Sequence, residues 1–304
     1  MGVISMKNYI KNIVAFIISF ILMAVLLMTS LTMFFRGTIL NSQTYIGVLE
    51  KHNIYNQIYD NIYSNIHYLL LSNNIEENTL DGVISIDEVS EVVNDYIYYT
   101  IGYMKNEAMD IPKIDMSVYE NRLESIINKF LSENSMYLNE ELKDNIGELE
   151  GTVLDIIKSD LEIINLNELS KSKGMNMIAK VSAIINSGPV IMGLLFLVII
   201  LIGMISLIWK KRKARKFAWI GYSFISCGLI VFLIGFSGYI SGFYNHVAIA
   251  IPYLAMAMSF IIKEYLLKFT ITGCLILFIG ICFMSIYWRH LYKKYSCVYN
   301  HSLQ

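Results

Sequence analysis

The sequence is short of charge and of cysteine. Only 16% of its 304 residues are Asp, Glu, Lys or Arg, against about 25% in a typical water-soluble domain. Apolar residues make up 55%, and the mean hydropathy is +0.51. These values exclude an ordinary soluble enzyme and an intrinsically disordered chain. The four cysteines, Cys227, Cys274, Cys282 and Cys297, all lie in the last third, so residues 36–188 owe nothing to disulfides. That segment has 19 asparagines but no N-x-S/T acceptor. The five histidines, His52, His67, His246, His290 and His301, show no paired ligand spacing, so no zinc site is expected. There is no H-E-x-x-H, G-x-S-x-G, phosphate loop or C-x-x-C.

What is present is four uncharged apolar runs at 13–35, 190–209, 217–240 and 269–288. About 20 helical residues cross the hydrocarbon core, and lipid forces such segments to satisfy their own backbone. The first run follows Lys7 and Lys11, as a signal peptide would. It exceeds the roughly 7–15 apolar residues of one and lacks a small-residue cleavage site, so it reads as a retained anchor.

Charge sorts by side. Residues 1–11, the 210–216 link and the 289–304 tail carry eleven basic residues and no acidic one. Residues 36–188 hold 24 of the 25 acids and 11 bases, a net of −13. The positive-inside rule then puts both termini and the basic link in the cytoplasm, and the acidic segment outside. Trp209, Trp219 and Trp288 fall at the cytoplasmic ends of spans, where indole suits the headgroup level. The absence of glycosylation sites from residues 36–188 and the richness in Ile, Asn, Lys and Tyr fit a bacterial plasma membrane. The expected order is 1–11 inside, 12–35 span one, 36–188 outside, 189–209 span two, 210–216 inside, 217–240 span three, 241–268 outside, 269–288 span four and 289–304 inside. A five-span alternative uses 243–262, but it moves Arg289, Lys293 and Lys294 outside and sets Pro252 in mid-helix.

The fold class is all-α: a four-helix transmembrane bundle with a helical-bundle extracytoplasmic domain between spans one and two. In the domain, Ser42 caps a long first helix with the stripe Tyr55, Ile58, Tyr59, Ile62, Tyr63, Ile66, Leu69 and Leu70. Ser85-x-x-Glu88 and Ser117-x-x-Glu120 are capping boxes heading two more. Leu142 through Ile164 mark a fourth. Ile178, Val181, Ile184 and Ile185 mark a fifth, which leads through Ser187-Gly188-Pro189 into span two. Such stripes are core, and Asp60 and Asp95 are solvated.

The segment 77–88, ENTLDGVISIDE, resembles the calcium loop of an EF-hand. Asp81 falls at position five, Gly82 at the turn, Ser85 at nine and Glu88 at twelve. Glu77, Thr79 and Leu80 depart from the pattern and leave too few oxygens. The competing reading is a turn at Asp81-Gly82 followed by a helix cap. Calcium is thus the one cofactor suggested, with Asp81, Ser85 and Glu88 as metal ligands.

Gly221, Gly228, Gly235 and Gly242 recur every seven residues, as do Gly273 and Gly280. A seven-residue repeat holds one helix face, so spans three and four are expected to pack antiparallel along these stripes. Lys210, Lys211, Arg212, Lys213, Arg215 and Lys216 form a topology lock that also suits anionic lipid. Residues 247–262 are an interfacial helix or an outward extension of span four. The stripe Leu254, Met258, Ile262 and Tyr265 favours the extension.

Uncharged spans argue against an ion-coupled transporter. The cytoplasmic parts are too short for a kinase, ATPase or cyclase, and the acidic exterior argues against nucleic-acid binding. The first functional expectation is a non-enzymatic binding or scaffolding protein with a membrane or envelope partner. The others are a cation- or ligand-sensing accessory subunit and a membrane-face enzyme. The layout, with Asp81-Gly82-Val83-Ile84 and the segment 89–96, resembles that of uncharacterised bacterial multi-pass membrane proteins with a helical extracytoplasmic domain after the first span. The resemblance implies such a domain on several spans and transfers no catalytic residue.

Overall fold

A computed structural model describes residues 2–133, 140–162 and 166–301. Among them every regular element is helical. The helices are α1 (Gly2–Phe34), α2 (Ser42–Lys51), α3 (Ile54–Ser72), α4 (Ile86–Met104), α5 (Met116–Glu133), α6 (Glu140–Leu161), α7 (Leu166–Lys171), α8 (Lys173–Asn186), α9 (Gly188–Ile208), α10 (Lys213–Ser241) and α11 (Pro252–His301). A π-helical turn, Phe35–Ile39, follows α1, and 3-10 turns occupy Glu77–Leu80 and Phe243–His246.

The chain divides into two compact units. The first holds α1, α9, α10 and most of α11. Four of its helices are long and apolar enough to cross a membrane, which defines a multi-pass membrane protein. Its core joins Ala15, Ile18 and Leu22 of α1 to Leu201 and Ile205 of α9 and Ile220 of α10. A second cluster sets Cys227 and Val231 against Phe269. Phe16, Phe20, Phe196, Ile199 and Phe278 are exposed on the outside, as side chains solvated by lipid would be. Between α1 and α10 the buried Ser19 and Ser223 hydroxyls meet at 2.7 Å. Ser19 Oγ also donates to the Trp219 carbonyl and Ser223 Oγ to the Ser19 carbonyl, so neither is left unsatisfied in an apolar interior.

The α10–α11 contact runs along the glycines. A Cβ on Gly228 would lie 2.6 Å from the Leu277 nitrogen, one on Gly235 2.7 Å from the Thr270 nitrogen, and one on Gly280 2.8 Å from the Ile225 nitrogen. Gly273 abuts the Phe232 backbone and Gly221 faces Met284. Partner numbers fall on α11 as they rise on α10, so the helices are antiparallel. Gly242 does not share the contact. It takes φ +63° as the C-cap of α10, where the absence of a Cβ serves the turn rather than the packing. Gly238, outside the seven-residue repeat, does belong to it, facing Leu266.

Helix α11 is unbroken from Pro252, with proline in its opening turn. Residues 252–262 therefore continue into span four, and no reversing turn exists at 263–268 for a fifth span.

The second unit, residues 42–182 with 248–257, is a helical domain. Ile54, Ile58, Ile62, Ile66 and Leu70 put one face of α3 in its centre. Helix α3 packs on α2, α4 and α6, and α5 on α6. Val89 and Val93, Leu123 and Ile127, and Val153 and Ile157 supply the facing layers. The long first helix expected from Ser42 is instead two: Asn53 adopts φ 54° between α2 and α3 and breaks the ladder. The expected Ser117 box also fails. Helix α5 starts at Met116, and the Asp115 carboxylate accepts from both the N–H and the hydroxyl of Ser117. The acid missed by pattern is Asp160 of α6, which accepts from Asn61 and Asn65 of α3 at 3.1 and 2.9 Å. Asp60 and Asp95 are exposed. Ile164 lies outside the described residues, as does the side chain of Leu142.

Candidate functional site

The strongest local structure in the domain is built on the 77–88 segment. After the 3-10 turn, Asp81 is extended and Gly82 takes φ 89°, reversing the chain. The Tyr63 hydroxyl fixes that reversal. It accepts from the Gly82 N–H at 2.8 Å and donates to the Ile84 carbonyl at 3.2 Å. Ser85 then caps α4 in a complete capping box. Its hydroxyl accepts from the Glu88 N–H, and Glu88 Oε2 accepts from the Ser85 N–H at 2.8 Å.

Arg122, reaching across from α5, completes the arrangement. Its guanidinium donates to Glu88 Oε1 at 2.7 Å, to Glu88 Oε2 at 3.0 Å and to the Val83 carbonyl at 2.8 Å. These are the oxygens that loop positions seven and twelve would turn to calcium. A fixed guanidinium already supplies the positive charge there. Asp81 is turned to His67, with Nε2 3.6 Å from its Oδ1. Of the residues in the calcium reading, Ser85 and Glu88 thus form a helix start clamped by arginine, and Asp81 lies beside His67. The Arg122 hydrogen bonds, reinforced by those from Ser85, hold the Glu88 carboxyl down at about 2. No group of three or more His, Cys, Asp and Glu is placed to hold a metal among the described residues.

Beside this clamp lies a cleft of about 730 Å³ between the end of α3, the Glu77–Leu80 turn, α5 and α6. Its floor is apolar: Leu70, Leu80, Ile127 and Leu131 are buried. Its rim is polar and anionic, with Asn73, Asn74 and Asn145 beside Glu76 and Glu148. Two chain features open it. Asn74 turns α3 off through φ 56°, and the 3-10 turn brings Thr79 to the wall, its buried Oγ1 without a hydrogen-bond partner. Among the described residues the lining holds no histidine, cysteine, lysine or arginine. The arrangement offers apolar burial, amide hydrogen bonding and negative charge, which is binding chemistry. Sequence patterning missed the cleft because its walls come from four elements.

The basic link is a tight turn. Arg212 N–H donates to the Trp209 carbonyl, and α10 begins at Lys213, whose side chain is outside those described. Lys210, Lys211 and Arg212 are exposed. Arg215 lies over the Trp209 ring at 5.0 Å, and Lys216 over Phe217 at 5.1 Å. Trp209, at the end of α9, packs in the bundle core and is 2% exposed. Trp288 is exposed.

Fold and cleft together define a multi-pass membrane protein with a compact helical domain that carries a ligand-sized depression. No family model, curated protein or solved structure matches the chain.

Proposed function

We propose that the protein is a non-enzymatic binding or scaffolding component of a bacterial plasma membrane. Both termini and the 210–216 link face the cytoplasm, and the helical domain faces outward between spans one and two. The domain seats an amphipathic, cationic helical segment of an envelope or membrane protein in the cleft between α3, α5 and α6. One observation carries the reading: an apolar floor of Leu70, Leu80, Ile127 and Leu131 edged by Glu76, Glu148 and three asparagines. Apolar anchors of a helix fill such a floor, and lysines or arginines beside them meet the rim. The net −13 of residues 36–188 favours encounter with a basic partner. A cation-sensing role through the 77–88 segment is disfavoured, because Arg122 holds its acceptors.

A photocrosslinking residue at Asn145, on the rim, and another at the exposed Glu91 of α4 test this in living cells. A single membrane-protein adduct from Asn145, absent from Glu91 and lost on Glu148→Lys, is the expected result. Equal adducts from both positions, or one indifferent to Glu148→Lys, would refute it.

A further inference from the structure

The bundle of spanning helices has a depression of its own. It lies at the end opposite the 210–216 link, between the end of α1 with its π-helical turn, the start of α9 and residues 262–269 of α11. Its volume is about 750 Å³, within the roughly 300–1,000 Å³ of sites that enclose small ligands. Leu31, Phe34, Phe35, Val190, Leu194 and Phe269 are among its walls, and Thr32 and Tyr265 bring the only hydroxyls. The aromatic wall is fixed: Phe34 packs edge-on against Phe269 at 4.9 Å and Tyr265 at 6.3 Å. An empty apolar hollow of this size forfeits dispersion contacts, and in a bilayer hydrocarbon is what fills it.

Two observations set it apart from ordinary lipid-facing surface. First, the wall at Phe35 and Ile39 is π-helical. Such turns break the regular ladder and recur at functional sites. Second, the chain beside the hollow is cationic. Arg36, next to Phe35, is exposed and has no ion-pair partner among the described residues. Lys263 and Lys268 flank the α11 wall, against the single acid Glu264, which lies 3.9 Å from Lys268. Within residues 1–41, 183–247 and 258–304, Glu264 is the only acid.

We infer that this groove holds an acyl chain of an anionic phospholipid, with the phosphate against Arg36. Apolar walls take the hydrocarbon, and the unpaired guanidinium favours a phosphodiester of net negative charge over a zwitterionic headgroup. The site is independent of the partner cleft in the helical domain.

The test uses the full chain in vesicles containing phosphatidylglycerol or phosphatidylcholine with the same photoactivatable acyl chain. Labelled positions are mapped by peptide mass spectrometry. Phosphatidylglycerol should label peptides carrying residues 28–39, 185–194 and 262–269 above all other spanning segments. Arg36→Gln should lower that labelling about fivefold, the worth of one basic residue at an anionic surface, and leave phosphatidylcholine labelling unchanged. Leu194→Trp, which fills the groove, should abolish it, whereas Leu207→Trp on the exposed face of the same helix should not. Labelling spread evenly over the four spans, equal labelling by the two lipids, or indifference to Arg36→Gln would overturn the assignment. Arg36 is exposed, so its substitution keeps the test open even if Leu194→Trp impairs folding.

Discussion

Arg122 and Glu88 form a two-point bond between α5 and α4, with donor–acceptor distances of 2.7 and 3.0 Å. The pair is not deeply buried: 34% and 24% of the two side chains remain exposed. Its weight comes from geometry, since the same guanidinium holds the Val83 carbonyl and the same carboxylate closes the capping box. Arg122→Met should destabilise the domain by about 1–2 kcal/mol, a charge-assisted bond discounted for solvent. Amide hydrogen exchange would show it as faster exchange at the start of α4 and in α5.

The same pair sets an acid limit. Glu88 is held at about 2, below its ordinary value. A depressed carboxyl contributes stability above its unfolded pKa and loses it as pH falls through the folded one. Helix α4 protection should therefore decline between about pH 5 and pH 2. Arg122→Met should flatten that decline. Glu150 opposes it weakly: burial raises its pKa, with Glu124 and Glu120 adding to the shift. Its stabilising contribution is lost as pH rises.

Calcium should leave the domain unmoved. At millimolar calcium, exchange rates across residues 77–88 should match those without it, because Arg122 occupies the oxygens a cation needs. Protection of this segment by calcium, with release of α5, would contradict the clamp.

The spanning helices predict a graded series. Gly228→Ala drives a Cβ into the Leu277 backbone and should cost about 1–3 kcal/mol. Gly221→Ala should cost less, because its nearest neighbour is the flexible Met284 side chain. Gly242→Ala should destabilise through its φ of +63° without spreading the two helices. Thermal melts in detergent, with a crosslink between cysteines placed on α10 and α11, separate the three effects.

Ser19 and Ser223 should be coupled. Single alanine variants leave a partner hydroxyl in an apolar interior, whereas the double variant removes both. A double-mutant cycle should give a coupling near 0.6 kcal/mol, and no more than about 1.7.

How much of this was legible follows from range along the chain. The α3 stripe was readable because Ile58, Ile62 and Ile66 repeat with the helix itself. The glycine repeats were readable for the same reason, and they carry the α10–α11 contact as far as Gly235. Gly242 keeps the period yet ends the helix, since periodicity does not report φ. Asn53 breaks what looked like one helix because a left-handed asparagine sits inside an otherwise continuous pattern. The Ser85 box was legible. Its third member was not, because Arg122 is 34 residues away and only tertiary packing brings it there. The two hollows were hidden for the same reason, each being walled by separate helices.

The proposed topology sets lipid between the acidic helical domain and the basic link and tail. Replacing all four native cysteines and placing a single new one, as Glu91→Cys or as Lys211→Cys, tests it in intact cells with a membrane-impermeant thiol reagent. The account predicts labelling of the Glu91 position without permeabilisation and of the Lys211 position only after it. Labelling of Lys211→Cys in sealed cells, with Glu91→Cys protected, would contradict it.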